Sequence, residues 1–198
     1  MRTVRGFTLI ELMVSVTIFS IVMVISMGAL LSISGSDKKA ESIKTVMNNL
    51  GFALDSMSRS IRTGTLYHCG SGSSDCTNGS AEIDFLPIEG ARTSYQFETN
   101  KTVCNQPALA TGGCITRSTD NGATYQVITA PEVVITNLNF YLVGSAVGDP
   151  LQARVTMTLS GFIRVSGSPA SMSDCIATPA TCSVFNIQTS VTQRLYDQ

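Results

Sequence analysis

The chain is poor in charge and in several residue types that active sites use. Its 198 residues include 13 lysine and arginine residues, 14 aspartate and glutamate residues, one histidine and no tryptophan. The charges are scattered, without a basic patch or a basic amphipathic tract, which argues against nucleic acid as a partner. Glycine, serine and threonine are abundant, so we expect a turn-rich β protein outside the cytoplasm. The length suggests one domain plus an anchor.

The scarcity of histidine leaves few arrangements for catalysis. A Ser-His-Asp triad would have to use His68, which lies beside Cys69 in a Gly/Ser-rich loop, a poor position for a rigid general base. No Gly-rich phosphate-binding loop is present. Asp120-Asn121-Gly122 could offer oxygen ligands to calcium, but the EF-hand spacing is absent. We therefore predict that the chain is not an enzyme and holds neither a cofactor nor a metal.

One long segment has almost no charge. From Phe7 to Ile33 the chain is nearly all apolar, with Glu11 its only charged residue, and no lysine or arginine occurs between Arg5 and Lys38. As a helix, this run would measure about 40 Å, against roughly 30 Å for the hydrocarbon core of a bilayer. The basic leader before it predicts an N-terminus in the cytoplasm and the rest of the chain outside.

Glu11 is the most informative residue of this run. An ionised carboxylate near the start of a membrane helix costs several kcal/mol if it stays unpaired in lipid. We therefore expect that a cation from a neighbouring subunit later neutralises it. Two alternatives stay open: a secretory signal peptide cleaved near Ser32-Ile33-Ser34, and a plain single-pass anchor in which Glu11 is incidental.

The segment around Glu11 also resembles a known signal. Gly6-Phe7-Thr8-Leu9-Ile10-Glu11-Leu12-Met13-Val14 is similar to the class III signal of type IV pilins and type II secretion pseudopilins. This resemblance implies cleavage after Gly6 by a prepilin peptidase, N-methylation of the new terminus at Phe7, and an assembly role for Glu11. Many major pilins carry proline where this chain has Gly28. Gly28 either permits local unwinding of the helix or makes a packing contact.

Cleavage would create a cationic amine at Phe7, four residues before Glu11 in the same helix. That amine could pair weakly with its own Glu11, or the Glu11 of an arriving subunit could meet the amine of a subunit already in place. In a low dielectric such a pair is strongly favoured over two separate charges, although it need not stabilise the assembly more than an apolar contact of the same size would. We therefore expect Glu11 to set register and direction more than affinity.

Six cysteines follow the apolar run: Cys69, Cys76, Cys104, Cys114, Cys175 and Cys182. Their even number and the expected export to an oxidising compartment favour disulfides. Sequence alone does not choose among the connectivities. We favour the sequence-local pairs (Cys69 with Cys76, Cys104 with Cys114, and Cys175 with Cys182), because each flanks a loop rich in small and turn-forming residues. Metal ligation by these cysteines is the alternative. The sequence disfavours it, because it contains no C-x-x-C motif and only one histidine.

After Ser36 the pattern becomes amphipathic, and it predicts that the helix continues to Thr63 and stops at Gly64. Its apolar residues recur at helical spacing: Ile43, Val46, Met47, Leu50, Leu54, Met57 and Ile61. From Thr65 onward the period becomes two, which predicts β-strands. The predicted hairpins pair Ile83–Phe85 with Tyr95–Phe97 and Cys114–Arg117 with Tyr125–Ile128. The other predicted segments are a strand at Leu138–Leu142, a strand at Leu151–Leu159, a loop at Ser166–Ser183 and a final strand at Val184–Leu195.

These elements predict an α+β fold in which a long N-terminal helix packs on a mostly antiparallel β-sheet head, the architecture that the pilin resemblance also implies. The expected divisions are a leader at 1–6, a transmembrane or filament-core helix at 7–35, an amphipathic helix at 36–64 and a disulfide-containing head at 65–198. Three stretches, Leu54–Thr63, Ile83–Leu86 and Phe185–Arg194, resemble J-type minor pseudopilins and W-type minor pilins. The cysteine loops are not part of that pattern.

The resemblance implies a structural subunit of a type IV pilus or a type II secretion pseudopilus. A minor subunit that initiates the filament or lies at its tip is favoured, because the head is large and loop-rich. The alternatives are a major pilin, or a membrane-anchored or pilus-tip adhesin whose disulfide loops contact a ligand, a surface or DNA. Expected partners are other pilin or pseudopilin subunits, a prepilin peptidase/methyltransferase, an inner-membrane assembly platform, and membrane lipid before assembly. The expected location is the bacterial cytoplasmic (inner) membrane, then the pilus or pseudopilus.

Overall fold

The computed structural model describes residues 8–70, 75–88, 90–107, 109–146, 151–164, 171–177 and 182–194. The chain divides into two compact units, Met1–Ser42 and Ile43–Gln198. Helix α1 (Leu9–Arg62) contributes residues to both units. The predicted leader, residues 1–6, lies outside the described residues, as does Phe7.

Most of the described part of the first unit is an apolar helical segment, Leu9–Ser34. Leu9–Ser34 is long and apolar enough to span a membrane, and none of its residues is buried within the chain. All of its large apolar side chains are more than half exposed. Because exposed apolar area on this scale is unfavourable in water, the segment requires lipid or other helices around it.

The second unit, which we call the head, contains the end of α1 and, within its described residues, nine strands and one short helix. The elements in chain order are β1 (Thr65–His68), β2 (Cys76–Ser80), β3 (Glu82–Leu86), β4 (Thr93–Glu98), β5 (Cys114–Ser118), β6 (Gln126–Val127), β7 (Val133–Val143), β8 (Arg154–Arg164), α2 (Met172–Ala177) and β9 (Cys182–Thr192). They form a five-stranded sheet in the order β1-β3-β4-β5-β6 and a four-stranded sheet in the order β2-β7-β8-β9. Every strand pair among the described residues is antiparallel. The α+β class is confirmed, and the strands form two sheets where the sequence analysis predicted one.

The apolar stripe of α1 packs into a core shared with both sheets. Its buried members are Val46, Leu50, Leu54, Met57 and Ile61, together with Ala53. Their partners include residues of β3, β7 and β8. The prediction was wrong for Met47, which is 40% exposed. Val46 and Leu50, which lie on either side of Met47 in the sequence of the stripe, are buried, so Met47 marks the margin of the buried face of the helix.

Gly64 follows the end of α1 for a reason that the sequence analysis did not anticipate. Its N–H donates to the carbonyl oxygen of Ile61 at 3.1 Å, but its backbone is not in the left-handed region expected for a glycine cap. A Cβ atom at this position would lie 2.4 Å from Cδ2 of Phe85. The glycine is therefore required by close packing between the helix end and β3.

Three disulfides join Cys69 to Cys76, Cys104 to Cys114 and Cys175 to Cys182. The third connects helix α2 to the first residue of β9. Met172 and Cys175 of α2 pack with Cys182, Val134 and Phe162 in a small second core. The predicted loop at Ser166–Ser183 is therefore wrong in part, because this apolar contact stabilises a helical turn and β9 already begins at Cys182.

Strand β8 begins later than predicted. Leu151 is 62% exposed, and the strand starts at Arg154, opposite Val143 at the end of β7. The β7–β8 ladder therefore begins at Arg154 and not at Leu151. Strand β9 ends at Thr192, which pairs with Arg154, and Leu195, the predicted end of the last strand, lies outside the described residues.

Candidate assembly and processing site

The site that the sequence analysis predicted lies at the start of α1. Gly6 and Phe7 are outside the described residues, so the description begins at Thr8. The Oγ1 atom of Thr8 accepts a hydrogen bond from the N–H of Glu11 at 3.4 Å, and its carbonyl oxygen accepts one from the N–H of Leu12 at 3.2 Å. Thr8 is therefore the N-cap of the helix, in the Thr-x-x-Glu spacing of a capping box. The role of Thr8 as N-cap was not predicted, although the Thr-x-x-Glu spacing is present in the sequence.

Glu11 occupies the first turn of α1. Negative charge there is stabilised by the helix dipole, by about 0.3–1 kcal/mol for an exposed site. The flanking side chains of Ile10 and Leu12 are apolar and exposed. Neither of the two ion pairs among the described residues involves Glu11. Its carboxylate is thus placed on an apolar helix with its charge unneutralised by the described part of the chain.

Three polar side chains of the apolar helix, those of Ser15, Thr17 and Ser20, differ from Glu11 in this respect. Their hydroxyl groups donate to carbonyl oxygens one turn earlier: Ser15 to Leu12 at 2.9 Å, Thr17 to Val14 at 2.8 Å, and Ser20 to Val16 at 2.8 Å. Such bonds satisfy a hydroxyl group inside lipid without a second chain. Only Glu11 carries a charge that the helix itself cannot neutralise.

Gly28 lies within continuous α1, with no interruption of the helix at that position. A Cβ atom at Gly28 would meet no described atom within 4 Å. A packing contact at Gly28 within the described chain is therefore ruled out. Local unwinding in a filament and contact with a neighbouring subunit are the two readings that the structure leaves for this glycine.

The carboxylates at turns of the head organise their own loops. Asp120 accepts hydrogen bonds from the Thr124 hydroxyl at 2.6 Å, the Ser118 hydroxyl at 2.7 Å and the Thr124 N–H at 2.9 Å. These bonds, that of the Thr124 side chain foremost, lower the pKa of Asp120 from 3.8 to about 2. The lone pairs that would face a calcium ion are thus largely used within the turn.

Asp75 acts in the same way between two distant segments. Its carboxylate accepts hydrogen bonds from the hydroxyl of Ser145 at 2.7 Å and from the N–H groups of Ser145 and Gly144 at 2.9 and 3.2 Å. The Ser145 hydroxyl is the main cause that lowers the pKa of Asp75. Among the described residues, no group of three or more His, Cys, Asp or Glu side chains could hold a metal ion.

Comparison with protein families matches residues 1–27 to the prokaryotic N-terminal methylation motif. Comparison with curated proteins and with solved structures gave no significant match. The family evidence therefore rests on the first 27 residues, which include the capped start of α1 and Glu11. The motif is the class III signal, and it is followed here by an apolar helix and an antiparallel β head. The chain therefore carries the prokaryotic N-terminal methylation motif, which is consistent with the type IV pilin and pseudopilin family.

Proposed function

We propose that this chain is a structural subunit of a type IV pilus or of a type II secretion pseudopilus. In this proposal it is cleaved after Gly6, N-methylated at Phe7 and incorporated through Glu11. The observation that carries the proposal is the Glu11 carboxylate, which lies in the first turn of an exposed apolar helix and pairs with no described cation.

Cleavage after Gly6 would place the new amine of Phe7 one residue before the N-cap, Thr8. A cation is disfavoured there, because the N-terminus of a helix carries partial positive charge. A Glu11 carboxylate from a second subunit would offset the cost of placing the Phe7 amine there. The same pairing would offset the cost of an unpaired Glu11 carboxylate in lipid. Since both charges are unfavourable in lipid when separate, the pair selects the axial stagger at which they meet.

We further propose a minor subunit that initiates the filament or lies at its tip. Its head carries three disulfides and a small helix, α2, packed on the four-stranded sheet. Repeating such a head along a whole filament would need complementary surfaces between successive copies. The partners in this scheme are other pilin or pseudopilin subunits, the prepilin peptidase/methyltransferase and the inner-membrane assembly platform. Before assembly the apolar helix would lie in the bacterial cytoplasmic membrane, with the head outside.

The proposed role needs no catalysis by the head. His68 lies in the short edge strand β1, and the turn carboxylates described above are engaged in hydrogen bonds with their own loops. Pilin-type proteins are typically structural, and we assign this chain to that role.

Two measurements test the proposal. The mass of the mature N-terminus should correspond to methylated Phe7, and a chain that keeps residues 1–6 would contradict it. Immunogold labelling should place the head at filament ends or in the membrane, whereas label along the whole shaft would indicate a major subunit.

A further inference from the structure

One exposed turn of the head carries the sequence at which exported proteins accept glycans. Asn100-Lys101-Thr102 is an Asn-x-Thr sequence whose middle residue is not proline. It lies between the end of β4 and Cys104, which a disulfide joins to Cys114 at the start of β5. Asn100 and Thr102 are both exposed. Because the proposed function places the head outside the cytoplasm, this sequence is in the compartment and on the surface that N-glycosylation requires.

The side chain of Asn100 is held in a turn conformation. Its Oδ1 atom accepts hydrogen bonds from the N–H of Thr102 at 3.0 Å and from the N–H of Val103 at 3.4 Å. The first of these bonds closes an Asx turn. The carboxylate of Glu98 accepts a hydrogen bond from the N–H of Asn100 at 2.7 Å, which holds the turn from its other side. Because the backbone engages Oδ1, the amide nitrogen Nδ2 stays available, and it donates to no group in the described chain.

Two groups beside this amide are available to an enzyme. The Thr102 hydroxyl is exposed and bonds to no other group of the described residues. Glu98 places a half-buried negative charge two residues before Asn100. Lys101 donates its Nζ to the carbonyl oxygen of Gly112, and neither ion pair of the described chain includes Glu98. The acceptor amide is therefore flanked by an unengaged hydroxyl and by a carboxylate that no described cation pairs with, and a transferase can bind both.

A second sequence of this kind in the head lacks the turn. Asn78-Gly79-Ser80 lies in β2, which pairs with β7. The Ser80 hydroxyl accepts a hydrogen bond from the N–H of Glu82 at 3.2 Å, and no Asx turn closes at Asn78 in the described chain. A side chain that bonds to its own backbone competes with the sheet ladder, so a paired strand disfavours the turn conformation. Asn78 is therefore a control within the same chain.

We propose that Asn100 is N-glycosylated after the head has crossed the membrane, from a glycan activated as a membrane-lipid diphosphate. In the transfer, Nδ2 of Asn100 forms a bond to the anomeric carbon of the glycan. The bond from that carbon to the diphosphate oxygen breaks, and the lipid diphosphate leaves with the electron pair. One proton of Nδ2 passes to a base of the transferring enzyme. The inference rests on the proposed function for the location of the head, and it does not require the chain to enter a filament.

Peptide mapping by mass spectrometry tests the proposal on the full-length chain, purified from the membranes and sheared filaments of the cells that produce it. Trypsin separates the two sequences, because Asn100 falls in the peptide 93–101 and Asn78 in the peptide 63–92. We expect a glycan mass on Asn100 and none on Asn78. An unmodified Asn100 in the wild-type chain, or a glycan on Asn78 in its place, would overturn the inference.

Two variants of Thr102 give a matched comparison. Thr102→Ala removes the hydroxyl and Thr102→Ser keeps it, while both keep the N–H that closes the Asx turn. We expect loss of the glycan in Thr102→Ala and its retention in Thr102→Ser. Near-UV circular dichroism of both chains should match the wild type, since the side chain is exposed. A glycan that persists in Thr102→Ala would contradict the assignment.

The same purified material separates this inference from the proposed function. A wild-type chain that enters filaments without a glycan overturns the inference and leaves the proposed function intact. A glycosylated chain that is absent from every filament supports the inference and overturns the proposed function.

Discussion

The two units of the chain use apolar residues in opposite ways. In the first unit, Leu9 is 79% exposed and no residue of the membrane-length segment is buried. In the head, Phe85 and Phe140 are completely buried between α1 and the sheets. The head therefore satisfies its apolar surface within one chain, whereas the first unit requires other molecules. This contrast explains why Glu11, the only charged residue of the membrane-length segment Leu9–Ser34, is so informative, since no core constrains the sequence around it.

The same contrast decides what could be predicted from the sequence. The helix start, the stripe from Val46 to Ile61 and the alternation in β7 follow local periodicity, and the structure contains them. The reason for Gly64 was not visible, because its neighbour Phe85 is distant in sequence. Helix α2 was not predicted, because its short sequence does not specify a helix by itself. Contacts with β7 and β8 stabilise it.

The candidate site was more predictable from the sequence than the fold was. Gly6, Phe7 and Glu11 were predicted from a motif that the family comparison also matches, and the capping role of Thr8 could have been predicted from its spacing to Glu11. The order of the strands in the two sheets could not be predicted, since it depends on pairing between distant strands.

The largest effect on the head should come from Phe85→Ala. Its ring lies 5.9 Å from that of Tyr67 and 6.1 Å from that of Tyr95, with none of the residue exposed. We expect the free energy of unfolding of the head to fall by about 3–5 kcal/mol. Near-UV circular dichroism of the full chain in detergent measures this. Membrane insertion and cleavage should not change. A defect in either would contradict the claim that the first unit functions independently of the core of the head.

A smaller effect is expected from Gly64→Ala, because the new methyl group would collide with the Phe85 ring. We expect a loss of about 1–3 kcal/mol in the same measurement. Gly51→Ala is the matched control, as a Cβ there meets nothing within 4 Å and alanine favours helix by up to about 1 kcal/mol. The two glycine replacements should therefore have opposite signs. Equal effects would show that Gly64 is not required by packing.

The smallest effect should come from Asp120→Asn, and it should depend on pH. The pKa of Asp120 is lowered to about 2 in the folded chain, so its ionised form stabilises the fold above about pH 4 and loses that contribution as the pH falls through 2. The variant should lower the thermal midpoint of the head at pH 7, and the deficit should shrink as the pH falls from about 4 to about 2. Asp55→Asn, which removes an exposed ion pair with Arg59, should have little effect at pH 7. A deficit of Asp120→Asn that is as large at pH 2 as at pH 7 would contradict the linkage.

The central claim is that the unneutralised carboxylate of Glu11 is used for assembly between subunits. The most direct measurement compares Glu11→Ala with Glu41→Ala, which removes the same charge from α1 beyond the membrane-length segment. Membrane-inserted, cleaved and filament-incorporated chain should be quantified separately. We predict that Glu11→Ala is inserted and cleaved but scarcely incorporated, whereas Glu41→Ala is incorporated like the wild type. Normal incorporation of Glu11→Ala would contradict the account.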